Sequence, residues 1–164
     1  MPNNTKSSEP DYSQFKFAEH KFEPTPLEKL VDRYLTDDEG AINEDAKAVA
    51  IELFSYTSAM LASAQSGTIA PEMLWSGVIN VSARIPAIPF YRQHEAEIKA
   101  IEGMIATEAF RAIQGKQSSV QAMSMLAAAF PTHLIALANN RDFVKAAAFR
   151  DELDEILRQA AAST

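Results

Sequence analysis

The chain has 164 residues, 47% of them hydrophobic and 23% charged, with 15 Lys and Arg against 22 Asp and Glu and no cysteine. That length fits one domain with a core of its own and excludes a large multidomain enzyme; without thiols, disulfide scaffolds, Cys₄ or Cys₂His₂ zinc sites and thiol nucleophiles are excluded too. The net charge of −7 opposes direct nucleic-acid binding, because that affinity rests on Lys and Arg neutralising phosphates.

Residues 1–26 read as an extended arm, with Pro2, Pro10, Pro24 and Pro26 among polar residues and no sustained apolar period. Its polar start has no apolar run behind a basic cluster, so the expected location is cytoplasmic. Tyr12, Phe15, Phe17 and Phe22 are spaced through the arm, and a purely solvating tail has little use for rings. Two readings stand: an arm folded back over its own bundle, or a disordered segment that becomes ordered on a partner, with those rings as anchors.

From Thr25 onwards the punctuation is helical. Thr25 is an N-cap with Pro26 at the first helical position, where its missing N–H is harmless, and Leu27, Leu30, Val31 and Tyr34 form one stripe. The TDDEGAI loop ends that helix. Asn43 caps the next, which runs to about Gln65 and stops at Gly67. Val49, Leu53, Tyr56 and Met60 make its apolar stripe, while Ser55, Ala59, Ser63 and Gly67, and again Ser58, Ala62 and Ser66, lie four apart and offer a face for close backbone approach. This reads as the central helix of a bundle.

Pro71 opens a third helix to about Arg84, and RIPAIPFY breaks it with two prolines three apart. A fourth, from about Gln93 to Gln114, carries Ile98, Ile101, Ile105, Ala109 and Ala112 on one face and stops at Gly115. Gln117–Asn140 holds no Asp, Glu, Lys or Arg, yet its Pro131, His133, Asn139, Asn140 and hydroxyls argue for a buried helical hairpin over a membrane span. No strand pair is visible, and the commonest residue is the best helix former, alanine, at 28 copies. The expected fold class is all-α, a helical bundle of about six or seven helices in all, divided into an extended N-terminal arm (1–26), the body of the bundle (27–129) and a C-terminal αα-hairpin (130–164) packed on it.

Chemistry has thin material. His20, His94 and His133 sit outside any HExxH or Glu-x-x-His setting, His133 reading as a partly buried core imidazole and His94 as a solvated helix start. Asp37, Glu39, Gly40 and Ile42 fall where an EF-hand places its third, fifth, sixth and eighth residues, but Leu35 and Ala46 occupy the first and twelfth, so a solvated acidic turn is expected. The five glycines are isolated, with neither phosphate-cradling motif and no GxSxG elbow. No catalytic, metal or cofactor residue is assigned.

The most informative stretch is Phe130–Gln159. It reads as a short helix after Pro131, a polar turn at Asn139–Arg141 and a long helix capped by Asp142. Phe143, Ala146, Ala147, Arg150, Leu153, Ile156 and Leu157 line one side of the second helix at spacings of three and four, facing Phe130, Leu134 and Ala138. Phe143, Ala146, Ala147, Arg150, Asp151, Leu153 and Ile156, with Asp142 before them, resemble the core of the UVR motif, a helical hairpin found in UvrB, UvrC, McsA and ClpC-type ATPases. The helicase, nuclease and Cys-rich parts of those proteins have no counterpart here. The first helix also departs from that pattern by being nearly uncharged and carrying Pro131.

What the resemblance implies is a mode of use, in which UVR hairpins pair with UVR-like or other helical hairpins between proteins or by self-association. The expected function is a non-enzymatic adaptor or complex subunit, docking through Phe143, Ala146, Ala147, Arg150, Asp151, Leu153 and Ile156 and through the arm's Tyr12, Phe15, Phe17 and Phe22. For Arg150 the competing assignments are an intrahelical pair with Asp154 and a fork onto a partner carboxylate. Two other functions remain open. Leu27–Tyr56 holds eight acids and three bases, which fits an acidic decoy of a nucleic-acid-binding protein, and distant residues could converge on a ligand or enzyme pocket between helices.

Overall fold

The computed structural model describes residues 23–70, 73, 85–117 and 119–163. Tyr12, Phe15, Phe17 and Phe22, and nearly all of the helix expected over 71–84, lie outside the described residues. Within them the chain forms α1 (Pro26–Leu35), α2 (Glu44–Gln65), α3 (Pro89–Gln93), α4 (Glu95–Gln114), α5 (Val120–Ala127), α6 (Ala129–Ala138) and α7 (Phe143–Ala162), with a 3₁₀ turn at Ile85–Ala87. The protein is an all-α bundle. Among the described residues the only β-type pairing is an isolated antiparallel bridge between Thr36 and Ile42.

Local chemistry sets the helix starts. The Thr25 hydroxyl accepts the Glu28 N–H while the Glu28 carboxylate accepts the Thr25 N–H, a capping box with Pro26 just inside. Asn43, Ser119 and Asp142 each accept the N–H three residues on. Two stops share one geometry with different residues. At the end of α2, Gly67 is left-handed (φ +78°), with the Thr68 N–H on the Ser63 carbonyl (2.9 Å) and the Gly67 N–H on Ala64 (3.2 Å).

At the end of α4 the expected glycine stop moves by one residue. Gly115 stays right-handed (φ −74°), and Lys116 takes the left-handed position (φ 55°), with the Gln117 N–H on the Ala112 carbonyl (3.1 Å). A Cβ at Gly115 would stand 3.3 Å from the Arg111 carbonyl oxygen, so this glycine relieves crowding and supplies no left-handed turn.

The core sits between α2 and α6, each of which packs against α1, α4, α5 and the other. From α2 it takes Ala46, Val49, Ala50, Leu53, Leu61 and Ala64, and from α6 Phe130, Leu134 and Ile135. The proposed small-residue face does not mediate packing among the described residues: Ser55, Ala59, Ala62 and Ser66 lie on the outer, exposed side of α2. The wider side chains of the opposite stripe bury more apolar area, and that decides which face turns inward.

Gln117–Asn140 is not a hairpin. α5 and α6 follow one another through Ala128, which itself keeps a helical conformation (φ −62°, ψ −13°). Pro131 explains the break: it has no N–H for the Ala127 carbonyl, and its ring clashes with a straight continuation. By length and a mean hydropathy of 1.4, Val120–Ala138 has the dimensions of a membrane-crossing helix, with 50% of that window buried inside the bundle.

The true hairpin is α6–α7, joined by the turn Asn139–Asp142. Asn140 (φ 56°) and Arg141 (φ 62°) are both left-handed, and the Arg141 N–H reaches the Ala136 carbonyl at 2.7 Å. Asn139 fastens this turn to the bundle. Its Nδ2 donates to the carbonyls of Tyr34 (3.1 Å) and Ile135 (2.8 Å), and its Oδ1 accepts from Lys145 Nζ (2.8 Å).

Candidate functional site

The inner face of α7 carries Ala146, Phe149 and Leu153, all buried, with Ile156 and Leu157 half-buried at its edge. This corrects the expected stripe at three residues. Phe143 is 67% exposed and Ala147 is exposed, whereas Phe149, absent from that stripe, is fully buried. The cause is α1, which packs on α7 from a side the local pattern does not reveal. Tyr34 meets Phe149 edge-on (centroids 5.4 Å, planes at 80°) and donates its hydroxyl to Glu152 Oε1 at 2.7 Å, while Arg33 pairs with the other Glu152 oxygen. Its hydrogen bonds from Tyr34 and Arg33 hold the Glu152 carboxyl below its ordinary pKa; the Tyr34 phenol is raised, first by that bond and then by burial. These contacts rotate α7 until the line through residues 146, 149 and 153 faces inward.

Of the residues expected to meet a partner, Ala146 and Leu153 are therefore spent on the chain's own core, and Ile156 is partly so. Asp151 and Ala147 face solvent. Arg150 is engaged internally. Its Nε donates to Asp154 Oδ1 (2.9 Å), the anticipated intrahelical pair, and its Nη2 donates to the Met125 carbonyl (2.7 Å) in the last turn of α5. The second bond has a structural reason: the α5–α6 break leaves terminal carbonyls of α5 without their helical donors, and the guanidinium supplies one from α7.

What stays open lies at the start of α7. Phe143 (67% exposed) lines a groove of about 420 Å³ between α4 and α6, floored by Ala100, Ile101, Ala136 and Leu137, and the next residue, Val144, is 83% exposed. Phe143 forms one wall. Arg141, on the left-handed turn, reaches over the mouth to Glu97 Oε1 (3.0 Å); the pair is solvent-exposed at 67% and 42%, and such pairs add only about 0–1 kcal/mol. His133 lines the groove from α6. Burial, and then the nearby Arg150 guanidinium, lower its pKa, so at neutral pH it presents an uncharged imidazole. The result is an apolar trough with one neutral polar group and a charged clasp at its lip.

Elsewhere the chemistry is structural. Asp37 spends its Oδ1 on the N–H groups of Glu39 and Ala41, both at 2.9 Å, so the calcium-like turn uses that acid to hold its own backbone. Among the described residues no three His, Cys, Asp or Glu converge as metal ligands. His94 packs against Phe90 with ring centroids 4.7 Å apart. Thr57 is 1% exposed and its hydroxyl makes no hydrogen bond, at a void of about 10 Å³ beside Leu61 and Phe130. The groove was not legible in the sequence, since its walls come from three elements; the one available signal was two adjacent apolar residues, Phe143 and Val144, which cannot both face the same core.

No family model matches the chain, and neither the curated proteins nor the solved structures contain a match to it.

Proposed function

We propose that this protein is a non-enzymatic interaction subunit that docks a helical segment of another protein on the surface formed by Phe143, Val144 and the adjoining groove. The observation that carries the reading is a 67% exposed phenylalanine that lines an apolar trough of about 420 Å³ and is followed in the chain by an 83% exposed valine. Large exposed apolar side chains that border a concavity are a mark of recognition surfaces. The UVR-like register of the hairpin supports the same use, with one revision: the contact belongs to the outward edge of α7, because Ala146, Leu153 and Arg150 serve the bundle itself.

The test is affinity capture from the native host using the full chain and the double variant Phe143→Asp, Val144→Asp. The expected result is a partner retained in high salt, as suits an apolar contact, and lost with the variant while its thermal unfolding midpoint stays at the parental value. A partner that survives both substitutions, or that leaves in high salt, overturns the assignment.

A further inference from the structure

We propose that the groove between α4 and α6 is a binding site for a small aromatic carboxylate, with the ring on its alanine-lined floor and the carboxylate on Arg141. This goes beyond the adaptor reading and does not rest on it, because the floor can be filled whether or not a partner meets the outward edge of α7.

Size and shape select the ring. The volume of about 420 Å³ lies in the lower part of the range of about 300–1,000 Å³ usual for small-molecule sites, which are mostly apolar with a few placed polar groups. The lining runs from Glu97 to Ile101 on α4 and from His133 to Leu137 on α6, one helical turn on each, or about 6 Å along either axis. That length takes one six-membered ring and is short for a long alkyl tail. Ala100 from α4 and Ala136 from α6 carry nothing beyond Cβ, and this leaves the floor open between the two helices. Phe143 walls one side, so an inserted ring gains an offset or edge-on aromatic contact.

Charge selects the head group. Arg141 donates to Glu97 Oε1 through Nη2 (3.0 Å), which leaves Nη1 and Nε as donors in the planar fork that suits a carboxylate. Glu97 is the one carboxylate residue in the groove lining, and that contact already offsets its charge. Phe143 is also the first residue of α7, the helix end that favours an anion. Deeper in, the His133 imidazole is uncharged, lies in the field of the Arg150 guanidinium and forms no hydrogen bond to another described residue. It has one N–H to give and repels no anion. A cationic head group would instead meet Arg141 at the lip and the field of Arg150 within.

The probe is 3-phenylpropionate, titrated into the full isotope-labelled chain and followed by amide chemical shifts, with 3-phenylpropylamine and acetate as comparisons. The expected result is saturable shifts at Ala100, Ile101, Ala136 and Leu137 with a Kd of about 1 mM, the strength of one ring and one charged contact. The amine, which lacks the carboxylate, and acetate, which lacks the ring, should each bind far more weakly. Arg141→Gln should weaken 3-phenylpropionate about tenfold, the worth of one charge-assisted contact. Ala100→Leu fills the floor from an exposed position on α4 and should abolish the shifts while the thermal midpoint stays at the parental value. The proposal is overturned by the absence of saturable shifts, by amine or acetate binding as tightly as the aromatic carboxylate, by an unchanged Kd in Arg141→Gln, or by shifts that persist in Ala100→Leu. Partner capture contains no small molecule and this titration contains no partner, so each reading can fail alone.

Discussion

Replacing Arg150 by alanine removes two bonds of unequal worth. The Nε contact to Asp154 is an i,i+4 pair with side chains 31% and 17% exposed, and such helix pairs contribute about 0.3–0.5 kcal/mol. The Nη2 contact to the Met125 carbonyl at 2.7 Å is charge-assisted, a class that adds about 1.5–3 kcal/mol, and its loss strands a carbonyl at the α5 terminus. The sum is about 2–3.5 kcal/mol, which for a chain of this size lowers the thermal midpoint by roughly 4–14 °C. Asp154→Asn is the control: it weakens the pair and leaves the Met125 bond, so its cost stays near 0.5 kcal/mol. Urea unfolding followed by far-ultraviolet circular dichroism measures both. Amide exchange adds the location, since loss of protection should concentrate in Val120–Ala127. Should Arg150→Ala fall within 0.5 kcal/mol of the parent with exchange in α5 unaltered, the bond to Met125 does not lock α5 in solution, and Arg150 returns to the pool of residues free for a partner.

Two further outcomes follow from buried polar groups. Thr57→Val should raise stability by about 1 kcal/mol in the same urea assay, because it removes a hydroxyl that is buried without a hydrogen bond while keeping the branched shape; a loss of stability would mean that the hydroxyl has a partner. His133 gives the pH dependence. Its folded pKa lies below the ordinary 6.5, so as pH falls below that value the unfolded chain takes up a proton that the folded one resists; stability present above about pH 6.5 declines towards the folded pKa. His133→Phe should flatten the urea midpoint between pH 7.5 and 5.5, and an unchanged slope would show that another group governs it.

The capping residues were legible because capping is local. Thr25 with Glu28, Asn43 and Asp142 announce their helices within four residues, and the three-and-four spacing of Leu27, Leu30, Val31 and Tyr34 or of Ile98, Ile101 and Ile105 states which side of each helix is apolar. The segment from Ala129 to Ala162 also declares two helices and a turn on the strength of Asn139, Asn140 and Asp142 alone.

Sequence by itself thus determined that the chain is an all-helical bundle and where most of its described helices begin. The tertiary structure decided how those helices are turned. α1 lies more than a hundred residues from α7, yet its Tyr34 ring and its ion pair to Glu152 bring Phe149 inward and leave Phe143 outside. The same holds for Arg150, whose guanidinium goes to the Met125 carbonyl in the last turn of α5, next to the break before α6. A helix of period 3.6 with apolar residues on more than one side admits several rotations of nearly equal burial, and the choice among them depends on contacts between elements far apart in the chain.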